Sequence, residues 1–293
     1  MIQELRQKGY GNTTNQAYPS SKIGLIHRWS PTAELQKYRR LVLDKPFDPP
    51  ANRKDLQPLI QYHPTTYLRP FGQEVTLTAR LETSLLLDHD RALREMARAG
   101  HFPPHHTPLC TDVGANAYCR PSRKDKATGQ KFEVDRCAKA EKEESMLNAV
   151  NRCPGDIKCG HKFQALWRDY LMSDDVGYKA LGMEYCNVLA QLRHYLVDIG
   201  FRDDDERQRM ADKEKINVPK QGAKYGYILT NEEVVLIKRE KNPRGDMVLY
   251  ATDGFPLRAT PGCEINGMIA LLLIHLLAAN EDGYLITNGL ADR

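Results

Sequence analysis

No uninterrupted apolar segment of the sequence approaches the roughly 18 residues that a membrane-spanning helix requires. The longest, MIALLLIHLLAA at 268–279, has 12 residues and reads as a buried core helix. The opening MIQELRQKGYGNTT has none of the apolar character of a secretory leader. Cysteine is sparse and poorly spaced: seven, an odd number, are scattered over 293 residues without a single C-x2-C pair. That spacing argues against a disulfide framework. A large charge excess is also missing, because 42 Lys and Arg face 38 Asp and Glu for a net +4. Such a balance permits a nucleic-acid partner without requiring one. These absences predict a protein of the cell interior, in nucleus or cytoplasm, with no membrane partner.

Five of the cysteines (Cys110, Cys119, Cys137, Cys153 and Cys159) lie near HFPPHH and His161. Structural zinc prefers close cysteine pairs, so these residues read instead as small buried hydrophobes.

The chain contains 41% hydrophobic and 27% charged residues, an ordinary globular composition able to bury a core. Its length suits one α/β domain with insertions. Residues 1–70, rich in Pro, Asn, Thr and Tyr, read as a partly irregular N-terminal arm, with one helix expected in SPTAELQKYRRLVL. The remainder, 71–293, reads as the main domain. A helix is predicted to run from EVTLTARLE to Gly100 on the stripe Leu77, Leu81, Leu85, Leu86, Leu93 and Met96. Next, SRKDKATGQK reads as a hairpin tip, and ANAYC and KFEVD as short strands. GMEYCNVLAQLRHYLVDIG is an amphipathic helix after a loop at 164–180, and 201–220 is a charged insertion. Two β-rich runs flank Thr230-Asn231-Glu232-Glu233, which is a hairpin pattern, and MVLYA adds a strand.

The segment PGDIKCGHKF holds an acid and an amine two residues apart. In extended backbone, Asp156 and Lys158 project to one face while Ile157 and Cys159 turn to the other. Pro154 is tolerated at the strand start, where no ladder N–H is required. An aspartate and a lysine so placed suit metal-dependent phosphodiester hydrolysis. The carboxylate holds Mg²⁺, and the lysine orients or deprotonates the attacking water and offsets developing charge. Alone the triplet has little specificity, and a surface ion pair is the competing explanation.

Context adds to it. Downstream of Asp-x-Lys come a helix carrying Gln191 and Tyr195 one turn apart, then YGYILT and EVVLIKR. That order resembles the PD-(D/E)XK nuclease superfamily, with a Gln-x-x-x-Tyr helix similar to that of its RecB-type members. NRCPGDIKCGHKF, YCNVLAQLRHYLVDIG, KYGYILTNEEVVLIKRE and MIALLLIHLLAA look like a fungal group of PD-(D/E)XK nuclease-like proteins. The similarity spans about 75–285 and is firmest from 150 onward.

The resemblance implies a restriction-endonuclease-like α/β fold, a mixed central β-sheet flanked by helices. It further implies Mg²⁺ or Mn²⁺ as cofactor and DNA as the expected nucleic-acid partner and substrate. Asp156 becomes the metal-binding acid, Lys158 the catalytic lysine, Gln191 a residue positioning the lysine or phosphate, and Tyr195 its helix partner. Glu82 is the candidate helix-borne acid and third metal ligand. Lys162 matches a second lysine, and Phe163 stands where the group often has tryptophan. With Lys162, the basic residues Arg120, Arg123 and Lys124 are candidates for contacting nucleic acid. One position departs from the pattern: Ser122 stands where the family has a strand-borne Asp, and serine is a poor Mg²⁺ ligand. Either Asp125 or Asp135 takes that role, or the module is catalytically silent and binds nucleic acid or a protein partner.

Overall fold

Thr230 makes the turn around which the sheet is built. Its Oγ1 accepts the backbone N–H groups of Glu232 (3.1 Å) and Glu233 (2.9 Å), so a threonine side chain closes the hairpin predicted for this stretch. The computed structural model describes residues 26–42, 74–82, 84–113, 123–124, 131–132, 135–141, 151–197, 221–258 and 265–287.

In chain order the elements are β1 (Ile26–Arg28), α1 (Thr32–Val42), α2 (Glu74–Glu82), α3 (Leu85–Arg98), β2 (Leu109–Val113), β3 (Arg123–Lys124), β4 (Lys131–Phe132), β5 (Arg136–Ala140) and β6 (Gly155–Ile157). After two 3₁₀ segments, Gly160–Lys162 and Ala165–Met172, come α4 (Val176–Val197), β7 (Gln221–Ala223), β8 (Tyr225–Leu229), β9 (Glu233–Lys241), β10 (Met247–Ala251), β11 (Phe255–Pro256), α5 (Gly267–Ala279) and β12 (Leu285–Thr287).

The result is a mixed α/β fold with an eight-stranded sheet flanked by helices. Its order is β1-β10-β9-β8-β6-β5-β2, with β11 attached to β9. The pairs β6–β8 and β1–β10 are parallel, and the other pairs in this sheet are antiparallel. β3 and β4 pair antiparallel on either side of the expected tip at SRKDKATGQK, whose residues 125–130 lie outside the described residues. ANAYC lies outside the described residues.

Two cores sandwich the sheet. On one face α3 and α5 enclose Ile157, Cys159, Tyr227, Leu229, Val234 and Leu236. On the other, α4 packs Val188, Leu189, Leu192, Tyr195 and Leu196 against Ile228, Val235 and Ile237. The apolar run at 268–279 is buried along nearly its whole circumference, which explains a helix hydrophobic on every side. Its N-terminus is capped by Asn266, whose Oδ1 accepts the Ile269 N–H at 2.9 Å.

Two boundaries differ from the sequence reading. The helix expected from EVTLTARLE to Gly100 is divided near Ser84, whose Oγ donates to the Arg80 carbonyl at 2.5 Å. Serine competes for local backbone acceptors in this way. The amphipathic helix expected from 182 begins earlier, at Val176. Asp175 accepts the N–H groups of Gly177 (2.7 Å) and Tyr178 (3.1 Å), an N-cap inside what reads as a loop.

Within 1–70, the predicted helix appears as α1, and β1 extends the sheet edge beside β10. Trp29 and Leu35 are buried in the α5-side core. Residues 1–25 and 43–70 of the predicted arm, residues 71–73 and the insertion at 201–220 lie outside the described residues. Among the described residues, no helix is long and apolar enough to cross a membrane.

Candidate active site

Gly155 begins β6 because nothing larger fits. A Cβ at that position would fall within the ring of Tyr227 on β8, its parallel partner in register. Pro154, which has no N–H to give, precedes the strand, and its carbonyl accepts the Tyr227 N–H at 3.2 Å. The short strand continues as extended backbone, with the Lys158 N–H donating to the Leu229 carbonyl at 2.9 Å.

This backbone gives the alternation expected from the sequence. Ile157 and Cys159 enter the α5-side core, while Asp156 lies in register with Ile228, a member of the α4-side core. Lys158 Nζ stands 3.1 Å from Asp156 Oδ1. The surface explanation fails on exposure, because Asp156 is 0% and Lys158 3% exposed.

Asp135 completes the arrangement. The antiparallel register that pairs Arg136 with Gly155 sets the preceding residue, Asp135, beside Asp156. Asp135 Oδ2 accepts the Ile157 N–H at 2.6 Å. Asp135, immediately before β5, is therefore adjacent in register to Asp156 on β6, whose carboxylate is paired with Lys158. The sequence names Asp135 and Asp125 as alternatives for the missing acid, and of these Asp135 is among the described residues and lies in register beside Asp156. Asp125 and Ser122 lie outside the described residues.

The helix α4 supplies the next pair. Gln191 Nε2 donates to the Tyr195 hydroxyl at 2.7 Å, as the one-turn spacing predicts. Gln191 Oε1 is buried and has no hydrogen-bond partner among the described residues. Tyr195 packs in the core that contains Ile228. Beyond β6, the Gly160 N–H donates to Asn231 Oδ1 at 2.8 Å, docking the turn on the β8–β9 hairpin. Lys162 is half-buried at the end of that turn. Phe163 is fully buried and stacks on Tyr185 with ring centroids 5.2 Å apart, which explains an aromatic residue at this position.

Glu82 requires a correction. Its Oε2 accepts from Arg136 Nη1 at 2.6 Å, on the sheet face covered by α3 and α5, opposite to that of Asp156. Sequence spacing along a helix does not say which side of a sheet the helix covers. Burial raises the Glu82 carboxyl above its ordinary range, against the pull of Arg136. The predicted metal set Asp156, Asp135 and Glu82 is thus not gathered. Among the described residues no group of three or more His, Cys, Asp or Glu side chains is arranged to hold a metal. What remains is the Asp135–Asp156 pair, a donor type that Mg²⁺ commonly uses, binding through one or two carboxylates and keeping several waters.

Of the basic candidates, Arg123 and Lys124 form β3, and Arg120 lies outside the described residues. Around Glu82 the structure reveals groups the sequence reading passed over. Arg136 Nη2 also donates to Asp90 (3.1 Å) and to Thr111 Oγ1 (2.7 Å), and Thr111 in turn donates to Asp90. Burial works to raise the Asp90 carboxyl, but His89, Arg136 and Thr111 outweigh it and hold the group below its ordinary range. The imidazoles of His89 and His275 lie 4.6 Å apart. A signal was available: His89 falls on the apolar stripe of its helix, and His275 interrupts the longest apolar run.

The chain matches no established protein-family model and no curated protein sequence.

Proposed function

We propose that the chain is a divalent-metal-dependent nuclease of the PD-(D/E)XK kind that hydrolyses phosphodiester bonds in DNA, acting in nucleus or cytoplasm. The observation that carries this reading is the placement of Asp135 beside Asp156, with Lys158 Nζ 3.1 Å from Asp156. An acid pair on adjacent strands with a neighbouring amine is what metal-assisted phosphate hydrolysis needs at one point in space. Asp156 and Asp135 would hold the ion. When bound, it supplies polarisation of a phosphate oxygen and a more acidic attacking water.

The chain's own groups do the rest. Lys158 orients the water and offsets charge that develops on the phosphate. Gln191, anchored through Nε2 on Tyr195, has an open acceptor in Oε1 with which to fix the lysine or the water. Ile157 N–H holds Asp135 in place, so one carboxylate oxygen is oriented by the backbone. Lys162, Arg123, Lys124 and Arg120 are the candidates for holding the nucleic-acid backbone.

One observation favours a second reading. Asp156 and Lys158 are 0% and 3% exposed, so neither side chain stands open to a substrate arriving from solvent. A catalytically silent module that binds nucleic acid or a protein partner would keep the pair as internal structure. Calorimetric titration with Mg²⁺ and Mn²⁺, on wild type, Asp156→Ala and Asp135→Asn, separates the two when followed by plasmid cleavage. The nuclease takes up metal and cuts, and both variants lose cutting. The silent module takes up no metal and cuts nothing, while retaining salt-dependent binding of a DNA duplex or a protein partner. Metal uptake and cutting that survive in both variants would sink the proposed site.

A further inference from the structure

We infer that Arg136 is a positioning residue that holds Asp135 in the site from the opposite face of the sheet, with Glu82 and Asp90 as its anchors. The inference rests on the hydrolytic reading above. Its starting point is the strand pairing that brings the two acids together. Among the described residues β5 and β6 share one register pair, Arg136 with Gly155. Two residues further along β5, the ladder gives way to other contacts: the Ala138 N–H donates to Asn151 Oδ1 at 3.1 Å, and its carbonyl accepts from Arg152 N–H at 2.7 Å. The register here matters, because a slip of one residue would turn Asp135 to the wrong face.

Arg136 constrains that register. Its side chain is 2% exposed and reaches three separate elements: Glu82 at the end of α2 (2.6 Å), Asp90 on α3 (3.1 Å) and Thr111 on β2 (2.7 Å). Successive side chains on a strand point to opposite faces, so this anchor and Asp135 are chain neighbours acting on opposite sides of the sheet. The planar guanidinium suits the task. Nη1 serves Glu82 while Nη2 serves Asp90 and Thr111, a span that the point charge of a lysine does not reproduce. Glu82, read from the sequence as a metal ligand, thus acts on the site through Arg136. Supporting residues of this kind typically change metal affinity by about 10–100-fold when altered.

The test uses the full chain with Glu82→Gln, Arg136→Lys and Asp135→Asn. Glu82 is one-fifth exposed, so its amide variant folds even if Arg136→Lys does not. Calorimetry is expected to show Mn²⁺ affinity weakened by about 10–100-fold in Glu82→Gln and Arg136→Lys. Single-turnover plasmid cleavage by both should recover toward wild type at saturating Mn²⁺, whereas Asp135→Asn does not recover. A second readout needs no activity: the Ile157 amide, donated to Asp135, should exchange with deuterium faster in both variants, relative to the Val235 amide in the sheet core. Wild-type Mn²⁺ affinity together with unchanged Ile157 exchange would overturn the inference, even if the melting temperature drops. If wild type itself binds no metal and cuts nothing, the hydrolytic reading fails. Ile157 exchange then decides the positioning separately: faster exchange upholds Arg136 as a register anchor, and unchanged exchange removes it.

Discussion

Lys158 Nζ lies 3.1 Å from Asp156 Oδ1, and both side chains are almost wholly shielded from solvent. Breaking such a pair from one side leaves a charge in a low-dielectric interior. Asp156→Ala is predicted to destabilise by up to about 3–5 kcal/mol, because Lys158 loses the carboxylate that lies 3.1 Å from its Nζ. The double variant Asp156→Leu with Lys158→Met is predicted to be at least as stable as wild type, since well-packed apolar substitutes carry no desolvation cost. Urea denaturation of the three proteins checks this. A double variant as unstable as the single one would mean that the pair's charge is not what matters there.

Acid lability should trace in part to His275. Buried and donating Nδ1–H to the Leu271 carbonyl at 2.7 Å, it is held neutral, with its pKa pushed down to about 3, first by burial and then by His89. The unfolded chain takes up the proton near the ordinary value of about 6.5 and the folded chain does not. The contribution is therefore intact above about 6.5 and is lost as pH falls from there toward 3, by at most about 1.4 kcal/mol per pH unit. His275→Leu is expected to flatten the urea midpoint between pH 7 and 5. Parallel pH profiles for variant and wild type would contradict this.

Gly155→Ala should fold poorly for a purely steric reason. The new methyl meets the buried Tyr227 ring, and overpacking of this sort costs about 1–3 kcal/mol. Adding Tyr227→Leu should restore part of the loss, which thermal melts of the single and double variants would register. A fully additive result would show that the ring is not the obstacle.

Gln191→Met distinguishes a working site from an internal polar pair. It removes a buried acceptor without a partner and also takes a donor from the Tyr195 hydroxyl, two effects that oppose each other in stability. Stability should change by about 1 kcal/mol or less. Cleavage, by contrast, should drop by about 10–100-fold. A variant that cuts at the wild-type rate would take Gln191 out of the site.

Much of the architecture was legible in local patterns. The Thr230 hairpin, the Gln191–Tyr195 pairing and the alternation of Asp156 and Lys158 against Ile157 each depend on backbone periods of a few residues. The start of α4 was harder to see, because Asp175 is one aspartate among several polar residues and becomes a cap only when Gly177 and Tyr178 turn toward it. The break at Ser84 has the same character: a hydroxyl that bonds the Arg80 carbonyl interrupts a stripe that otherwise continues.

By itself, then, the sequence determined α1, α4, α5, the hairpin around Thr230 and which face of β6 carries the acid and the amine, since these follow from local side-chain patterns, but it left β1, β2 and β5 unread. Only the tertiary structure showed that Asp135 stands next to Asp156 in register. Strand pairing joins residues far apart in the chain, and the register of Arg136 with Gly155 brought up Asp135. It also decided that Glu82 faces Arg136 on the other side of the sheet. Helix periodicity orients a side chain around its own axis, but only the packing of α2 and α3 beside α5 sets the layer in which that side chain ends.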